Sequence, residues 1–376
     1  MTVDSPDDRG VPWINTAEGL ADVAAACASA SWIALDTESN SMHAYRERCC
    51  LVQINAGGRM FVVDPIAIGN EAFVALKAPL EDPSITVWLH GGEYDCAVMR
   101  RDFAIQLRGV FDSQQAASML GWEKTGYGAV VERQLGVELA KEFAQYDWAI
   151  RPIDPGALSY AIDDVRYLPD AAAQLREMIL AADLVEETAI ACRAVEDAGW
   201  GGGFDPGGFY RVKGARELPL PCLPVLAALW TWRDGIAREV NMPPGRVVNN
   251  ETMLALCRRP IVTWAQLKHA GVKNSVLTPH GESLLSCLRD ANAHPPAVPP
   301  PVKHREVEPI EEEREKRMKD WRRAEAEKRA VPLQVVLPAK ALEHLKRYGS
   351  TDLSQVPQLG EKRIQLYGEK LAQLAQ

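Results

Sequence analysis

The sequence predicts a mixed α/β domain followed by two all-α helical units, and three observations carry that expectation. Short runs rich in β-formers come first as a meander and then alternate with helical stretches up to residue 182; a mixed sheet flanked by helices has that order. The texture then changes to G-W-G-G-G-F-D-P-G-G from residue 199, and L-P-L-P-C-L-P follows at 218–224. So much Gly and Pro marks a connector. A second break, A-H-P-P-A-V-P-P-P-V at 293–302, has the composition of a semi-rigid Pro-rich spacer. The expected division is 1–210, 218–294, a linker over 295–307, and 308–376, and the 376 residues allow it at roughly 150 residues per domain.

Taken in order, the strand candidates are Trp32–Leu35, Cys50–Ile54, Met60–Val63, Ile85–Leu89 and a short fifth at Val110–Phe111. Gly57-Gly58, between the second and third, is a hairpin signal. Helices are expected near 70–78, 94–102, 113–121, 127–135 and 155–182. Beyond the connector, 222–291 reads as helical, a charged helix follows over 308–330, and a compact helical tail runs to 376. The two C-terminal units look related. Trp232-Arg233 precedes R-V-V-N-N-E-T-M-L at 246, and Trp321-Arg322 precedes Q-V-V-L-P-A-K-A-L at 334, which suggests a repeat.

Composition narrows the class. Apolar residues at 47% and charged residues at 25% describe an ordinary folded protein. The longest apolar stretch, Gly19–Leu35, is interrupted by Asp22 and falls short of the ~20 residues that span a bilayer. The start, M-T-V-D-S-P-D-D-R-G, has neither the basic opening nor the apolar segment of a secretion signal. Eight cysteines without a C-x-x-C pair speak against a zinc site or disulfide framework and for reduced thiols in a cytoplasm. The net charge of −9 hides an asymmetry: residues 1–210 carry 15 Lys and Arg against 32 Asp and Glu, whereas residues 211–376 carry 27 against 19. An acidic half joined to a basic half suits a polyanion partner held at one end, although solvated helix surface would give the same count.

Three acidic clusters stand out. Asp36-Thr37-Glu38 ends the first strand, and period-two alternation turns positions 36 and 38 to one face. Paired carboxylates there repel unless a cation sits between them; two solvated acids on an exposed strand end are the plain alternative. His90-Gly91-Gly92-Glu93-Tyr94-Asp95 ends the fourth strand and opens a helix, where acids also favour the dipole. In Tyr160-Ala-Ile-Asp-Asp164, Tyr160 and Asp164 stand four apart on one helical face, and Asp163 is turned elsewhere. Asp112 reads as the N-cap of a helix with Gln115 at its third position, and His90 as hydrogen-bonded scaffold. Lys141 and Arg151 either meet phosphates or are solvated.

In that order and context the clusters resemble the tyrosine-bearing branch of the DEDD exonuclease superfamily, the RNase D family. Asp36 and Glu38 match its D-x-E motif, Asp95 its second motif, and Tyr160 with Asp164 its Y-x-x-x-D motif. L-V-Q-I (51–54), V-F-D-S-Q-Q-A-A-S-M-L-G (110–121), L-G-V-E-L-A-K (135–141) and D-W-A-I-R-P-I (147–153) extend the likeness over most of 30–182. Ser39 departs from the aromatic that many relatives carry, and Glu142 and Phe143 from Ser and Leu. The resemblance implies an RNase H-like (DnaQ-like) exonuclease fold and 3′→5′ hydrolysis releasing 5′-mononucleotides. It further implies two divalent cations, Mg²⁺ or Mn²⁺, held by Asp36, Glu38, Asp95 and Asp164, with Asp36 shared between them. Hard cations take oxygen ligands, and a pair of them activates water and clamps both reacting oxygens. Tyr160 would orient the attacking water.

Residues 223–256 resemble an HRDC domain, a small helical nucleic-acid-binding module, and 321–364 a diverged copy of it. Arg246, Arg258, Arg259, Lys362 and Arg363 are the candidate phosphate contacts, adding salt-dependent affinity without reading sequence. The expected substrates are tRNA precursors and other small structured RNAs with single-stranded 3′ ends, in the cytoplasm, with no membrane role and with protein partners left open. Two other functions remain open at this point: a 3′→5′ DNA exonuclease, and an RNA-binding protein with a silent nuclease domain.

Overall fold

The structure, a computed structural model, describes residues 10–140, 142–298, 300, 305–349 and 352–376. Lys141 and part of the Pro-rich linker, residues 299 and 301–304, lie outside the described residues. Two compact units are present. One contains residues up to Ser39, Cys49–Trp200 and Glu306–Gln376; the other contains Asn40–Arg48 and Gly201–Arg305.

In the first unit the strands are β1 (Trp13–Ile14), β2 (Trp32–Ser39), β3 (Cys49–Ala56), β4 (Arg59–Val63), β5 (Thr86–Leu89) and β6 (Val110–Asp112). They form one sheet in the order β1-β4-β3-β2-β5-β6. β3 runs antiparallel to both β2 and β4, while β1–β4, β2–β5 and β5–β6 are parallel, so the sheet is mixed as expected. The hairpin turn of β3 and β4 places Gly57 and Gly58 at φ 57° and 96°, positive values that L-residues resist. The helices are α1 (Ala17–Ser29), α2 (Pro65–Ile68), α3 (Val74–Leu80), α4 (Glu93–Phe103), α5 (Ser113–Met119), α6 (Tyr127–Leu135), α7 (Pro155–Arg166), α8 (Leu168–Ala181) and α9 (Val185–Glu196). On one face of the sheet, Ile33, Leu35, Val52 and Ile54 bury against Leu20 and Val23 of α1, Leu76 of α3 and Met99 of α4. The other face carries α7 and α8: Leu51 packs with Leu158 and Ile162, and Ala34 with Val165 and Ala172.

Three expectations need correction. The helix expected over 155–182 is two helices, because Pro169 has no N–H to offer Val165 O; Asn55 Nδ2 on β3 donates to that carbonyl instead, at 3.0 Å. The stretch expected as one helix near 70–78 is a 3₁₀ turn, Asn70–Phe73, running into α3. The connector after residue 199 is no bare linker either, since Phe209 and Ala215 in its two 3₁₀ turns are fully buried in the second unit's core.

That second unit is all-helical: α10 (Cys222–Glu239), α11 (Pro244–Val247), α12 (Asn250–Cys257), α13 (Trp264–His269) and α14 (Asn274–Ala293). It also claims the connection between β2 and β3: Tyr45 Oη donates to Asp234 Oδ1 at 2.7 Å, and the Arg46 N–H to Asn241 Oδ1 at 3.0 Å. The chain then rejoins the first unit as α15 (Pro309–Arg329), α16 (Leu333–Val336), α17 (Ala339–Tyr348) and α18 (Glu361–Leu374). The repeat is visible locally, since each copy runs from a long helix through a single turn to a short one. Arg233 of α10 donates to Val248 O, just past α11, and Arg322 of α15 to Leu333 O in α16.

This geometry revises two proposed phosphate contacts. Arg363 is buried and donates to the carbonyls of Gln334, Val335, Gln358 and Leu359. Lys362 is held by the Asp183 carboxylate at 3.0 Å and by buried Glu187 at 3.3 Å. Both tie α18 into place. Arg246, Arg258 and Arg259 are exposed. All eight cysteines are free thiols. Among the described residues, no helix is long and apolar enough to cross a membrane.

Candidate active site

β2 lies at the centre of the sheet, and its alternation sends Asp36 and Glu38 to the face that carries α7. α7 begins at Asp154, whose carboxylate caps it by accepting from the N–H groups of Gly156 and Ala157. Two turns on it presents Tyr160, and a turn further Asp164. One carboxylate oxygen each from Asp36, Glu38 and Asp164 lies within 4.8 Å of the other two.

Asp95 stands beside this trio rather than within it. It sits in the first turn of α4, just after β5, the parallel neighbour of β2. Its Oδ1 accepts two hydrogen bonds from Thr37, the backbone N–H at 3.0 Å and the hydroxyl at 2.5 Å. The turn into α4 is fixed from behind by Asp112, whose Oδ2 accepts from the Gly92 N–H at 2.8 Å while its Oδ1 caps α5 through Gln114 and Gln115. Gly92 is required there, because a Cβ would lie 2.4 Å from Leu89 Cδ1. Asp112 is thus the expected cap, and it also braces the loop that delivers Asp95.

The electrostatics are those of an uncompensated anion cluster. Burial, and then the charges of Asp95, Asp164 and Glu38, push the Asp36 carboxyl well above the usual range. Glu38 is raised by burial and by Asp164 and Asp95. Burial, Asp163 and Asp95 push Asp164 up to about 7. Asp95 is raised by burial to about 6, with the Thr37 hydrogen bonds holding it down. Among the described residues none of these four acids forms an ion pair with Lys or Arg. Neighbouring carboxylates left without a counter-charge are costly. An all-oxygen donor set of this kind fits a hard divalent cation.

Tyr160 is half-buried between Phe143 and Trp148, with ring centroids 6.3 and 6.4 Å away. Burial and the nearby Asp164, Glu38 and Asp36 push its phenol up to about 12, so it stays protonated at neutral pH. Phe143, one of the departures from the family pattern, therefore packs against Tyr160. Asp163 turns away, as expected, and pairs with Arg166 at 3.0 Å.

Sequence reasoning missed several supporting residues. Arg151 meets neither of its two expected fates: it forms a two-pronged pair with Asp64 and also donates to Trp148 O, Ile150 O and Cys50 O. It thereby secures the segment bearing Trp148. Tyr127 Oη donates to Asp163 O at 2.9 Å and braces α7. His90, by contrast, is the hydrogen-bonded scaffold expected: it is largely buried, shares a 2.8 Å hydrogen bond with Ser113 Oγ, and burial drives its pKa down to about 4. Ser39 Oγ is 2.6 Å from Tyr94 Oη, and the Tyr94 ring meets Trp200 edge-on. The distant partnerships leave no local signal: Tyr127 meets a carbonyl 36 residues away, and Arg151 meets Asp64 and Cys50, 87 and 101 residues away.

The mixed sheet, the acid cluster on its central strand and the helical modules after it define a 3′→5′ exonuclease joined to nucleic-acid-binding domains. Residues 11–180 match the family model described as 3′-5′ exonuclease, and residues 223–288 and 311–374 each match the HRDC domain. Ribonuclease D of Cronobacter turicensis is 30% identical over 285 residues, covering 74% of this chain and 76% of that protein. Ribonuclease D of Escherichia coli K12 is 29% identical over 291 residues, 77% of each chain. The crystal structure of Escherichia coli RNase D, described as an exoribonuclease involved in structured RNA processing, superposes with a TM-score of 0.71 at 27% identity, covering 97% of this chain and 98% of that one. The chain belongs to the ribonuclease D family and is a 3′→5′ exoribonuclease.

Proposed function

We propose that this exoribonuclease trims the single-stranded 3′ ends of tRNA precursors and other small structured RNAs in the cytoplasm, releasing 5′-mononucleotides. The observation that carries this reading is the meeting of the Asp36, Glu38 and Asp164 oxygens within 4.8 Å, with no Lys or Arg among the described residues pairing them. Asp36, Glu38, Asp95 and Asp164 would hold two divalent cations, Mg²⁺ or Mn²⁺. Once bound, such ions supply Lewis acidity toward the scissile phosphate and a source of hydroxide at neutral pH. Tyr160, protonated at neutral pH, orients the attacking water by hydrogen bonding and does not remove its proton. Thr37 keeps Asp95 ionised and aimed. The exposed arginines of the first HRDC unit, Arg246, Arg258 and Arg259, give salt-dependent grip on the RNA body. The name and description of the relatives, ribonuclease D and structured RNA processing, favour RNA over DNA.

The test offers 3′-extended tRNA, single-stranded DNA and duplex DNA in Mg²⁺, Mn²⁺ or EDTA. Mononucleotide release from the RNA in either cation, abolished by EDTA, is the expected result. Preference for DNA, or binding without hydrolysis in every condition, overturns the reading.

A further inference from the structure

Gln53 on β3 is wholly buried, at 0% exposure, and neither its Oε1 nor its Nε2 has a hydrogen-bond partner. A primary carboxamide offers two donor hydrogens and two acceptor lone pairs, and a buried polar group left unpaired calls for an explanation. Strand register supplies one. Gln53 is the direct partner of Asp36 across the antiparallel β2–β3 pair. Residues opposed in this way project to the same face, with Cβ atoms roughly 4.5–5.5 Å apart.

The remaining surroundings offer the amide little. Leu51 on the same strand, Val62 opposite it on β4, and Leu158, Ala161 and Ile162 of α7 are apolar. Asn55 is engaged at both ends, donating to Val165 O and accepting from the Gly58 N–H. Asp36 is therefore the acidic residue that the register sets directly opposite Gln53.

We propose that Gln53 is a positioning residue: in the cation-loaded enzyme its Nε2 donates to the Asp36 carboxylate and fixes the direction in which that carboxylate faces. The proposal rests on Asp36 being a cation ligand. Supporting groups behind a ligand commonly change metal affinity about 10–100-fold when removed.

The test uses the full chain and Gln53→Met, close in size and apolar, with Gln53→Leu as a second variant. Mn²⁺ binding is followed by calorimetry, and melting temperature is measured in EDTA. The expected result is a wild-type or higher melting temperature, because the unpaired amide is gone, together with about 10–100-fold weaker Mn²⁺ binding. Asp36→Ala serves as the reference. Variants at position 53 that keep wild-type Mn²⁺ affinity while D36A loses it overturn the role of Gln53 alone. A D36A protein with undiminished Mn²⁺ affinity overturns the acid-cluster reading and this role with it. A fall in melting temperature at unchanged Mn²⁺ affinity marks the amide as purely structural and also overturns the proposal.

Discussion

Thr37 holds Asp95 with two hydrogen bonds to a single oxygen, leaving Oδ2 outside that pairing. Both bonds favour the ionised carboxylate. Thr37→Val removes the hydroxyl bond at nearly constant volume, so the pKa of Asp95 rises. The expected outcome is about 10-fold lower activity at neutral pH, with the acidic limb of the pH–rate profile moved to higher pH; unchanged limbs would show that the hydroxyl does not tune Asp95.

Tyr160→Phe should leave Mn²⁺ affinity intact by calorimetry, because the phenol is not among the proposed ligands. Hydrolysis should fall roughly 10²–10⁴-fold, the range for a group that manages a proton or a water in the transition state. Asp36→Ala should abolish both. Full activity in either variant contradicts the assignment.

The acid cluster also predicts how the cation-free protein responds to pH. The folded pKa values of Asp36, Glu38 and Asp164 are raised, with Asp164 at about 7. Their stabilising contribution is therefore present below the unfolded values near ~4 and drains away as pH rises through the folded ones. In EDTA the melting temperature should drop between pH 6 and 8, and Asp164→Asn should flatten that drop. Saturating Mn²⁺ should reverse it at pH 8, because a ligand that binds only the folded state stabilises it. A flat profile in EDTA would mean that the carboxylates are already compensated.

In the C-terminal module, Arg363→Met should cost about 2–4 kcal/mol of stability, because carbonyls of four residues lose their donor in a buried setting. The salt dependence of RNA binding should not change. Arg258→Ala, on an exposed side chain, should do the opposite, lowering the log–log salt slope by about one unit at unchanged stability. Exchanged phenotypes would reverse the two assignments.

What could be read in advance followed local periodicity. Period two brought Asp36 and Glu38 to one face, and a spacing of four did the same for Tyr160 and Asp164. The Gly57-Gly58 turn and the N-cap at Asp112 were likewise written in neighbouring residues. Helices α1 and α9 were not anticipated: their Ala-rich faces, A-E-G-L-A-D-V-A-A-A-C-A-S in the first, give the apolar spacing little contrast. The break at Tyr167 follows from Pro169, but the group that satisfies the freed Val165 carbonyl, Asn55, lies 110 residues away. Arg363 looked like a surface cation because nothing local marks the carbonyls that surround it. Thr37 lies inside the D-x-E motif at the unassigned position, and only the approach of α4 gives it a purpose.

The assignment of Asn40–Arg48 to the helical unit has a practical consequence for dissecting the molecule. The polypeptide passes between the two units four times, after residues 39, 48, 200 and 305. A protease that cuts after residue 48 or 200 yields two separate fragments that each carry parts of both units, and a stop codon after residue 200 removes the helix that anchors Tyr45. A faithful isolated nuclease therefore requires replacing the loop after Ser39 as well as shortening the chain.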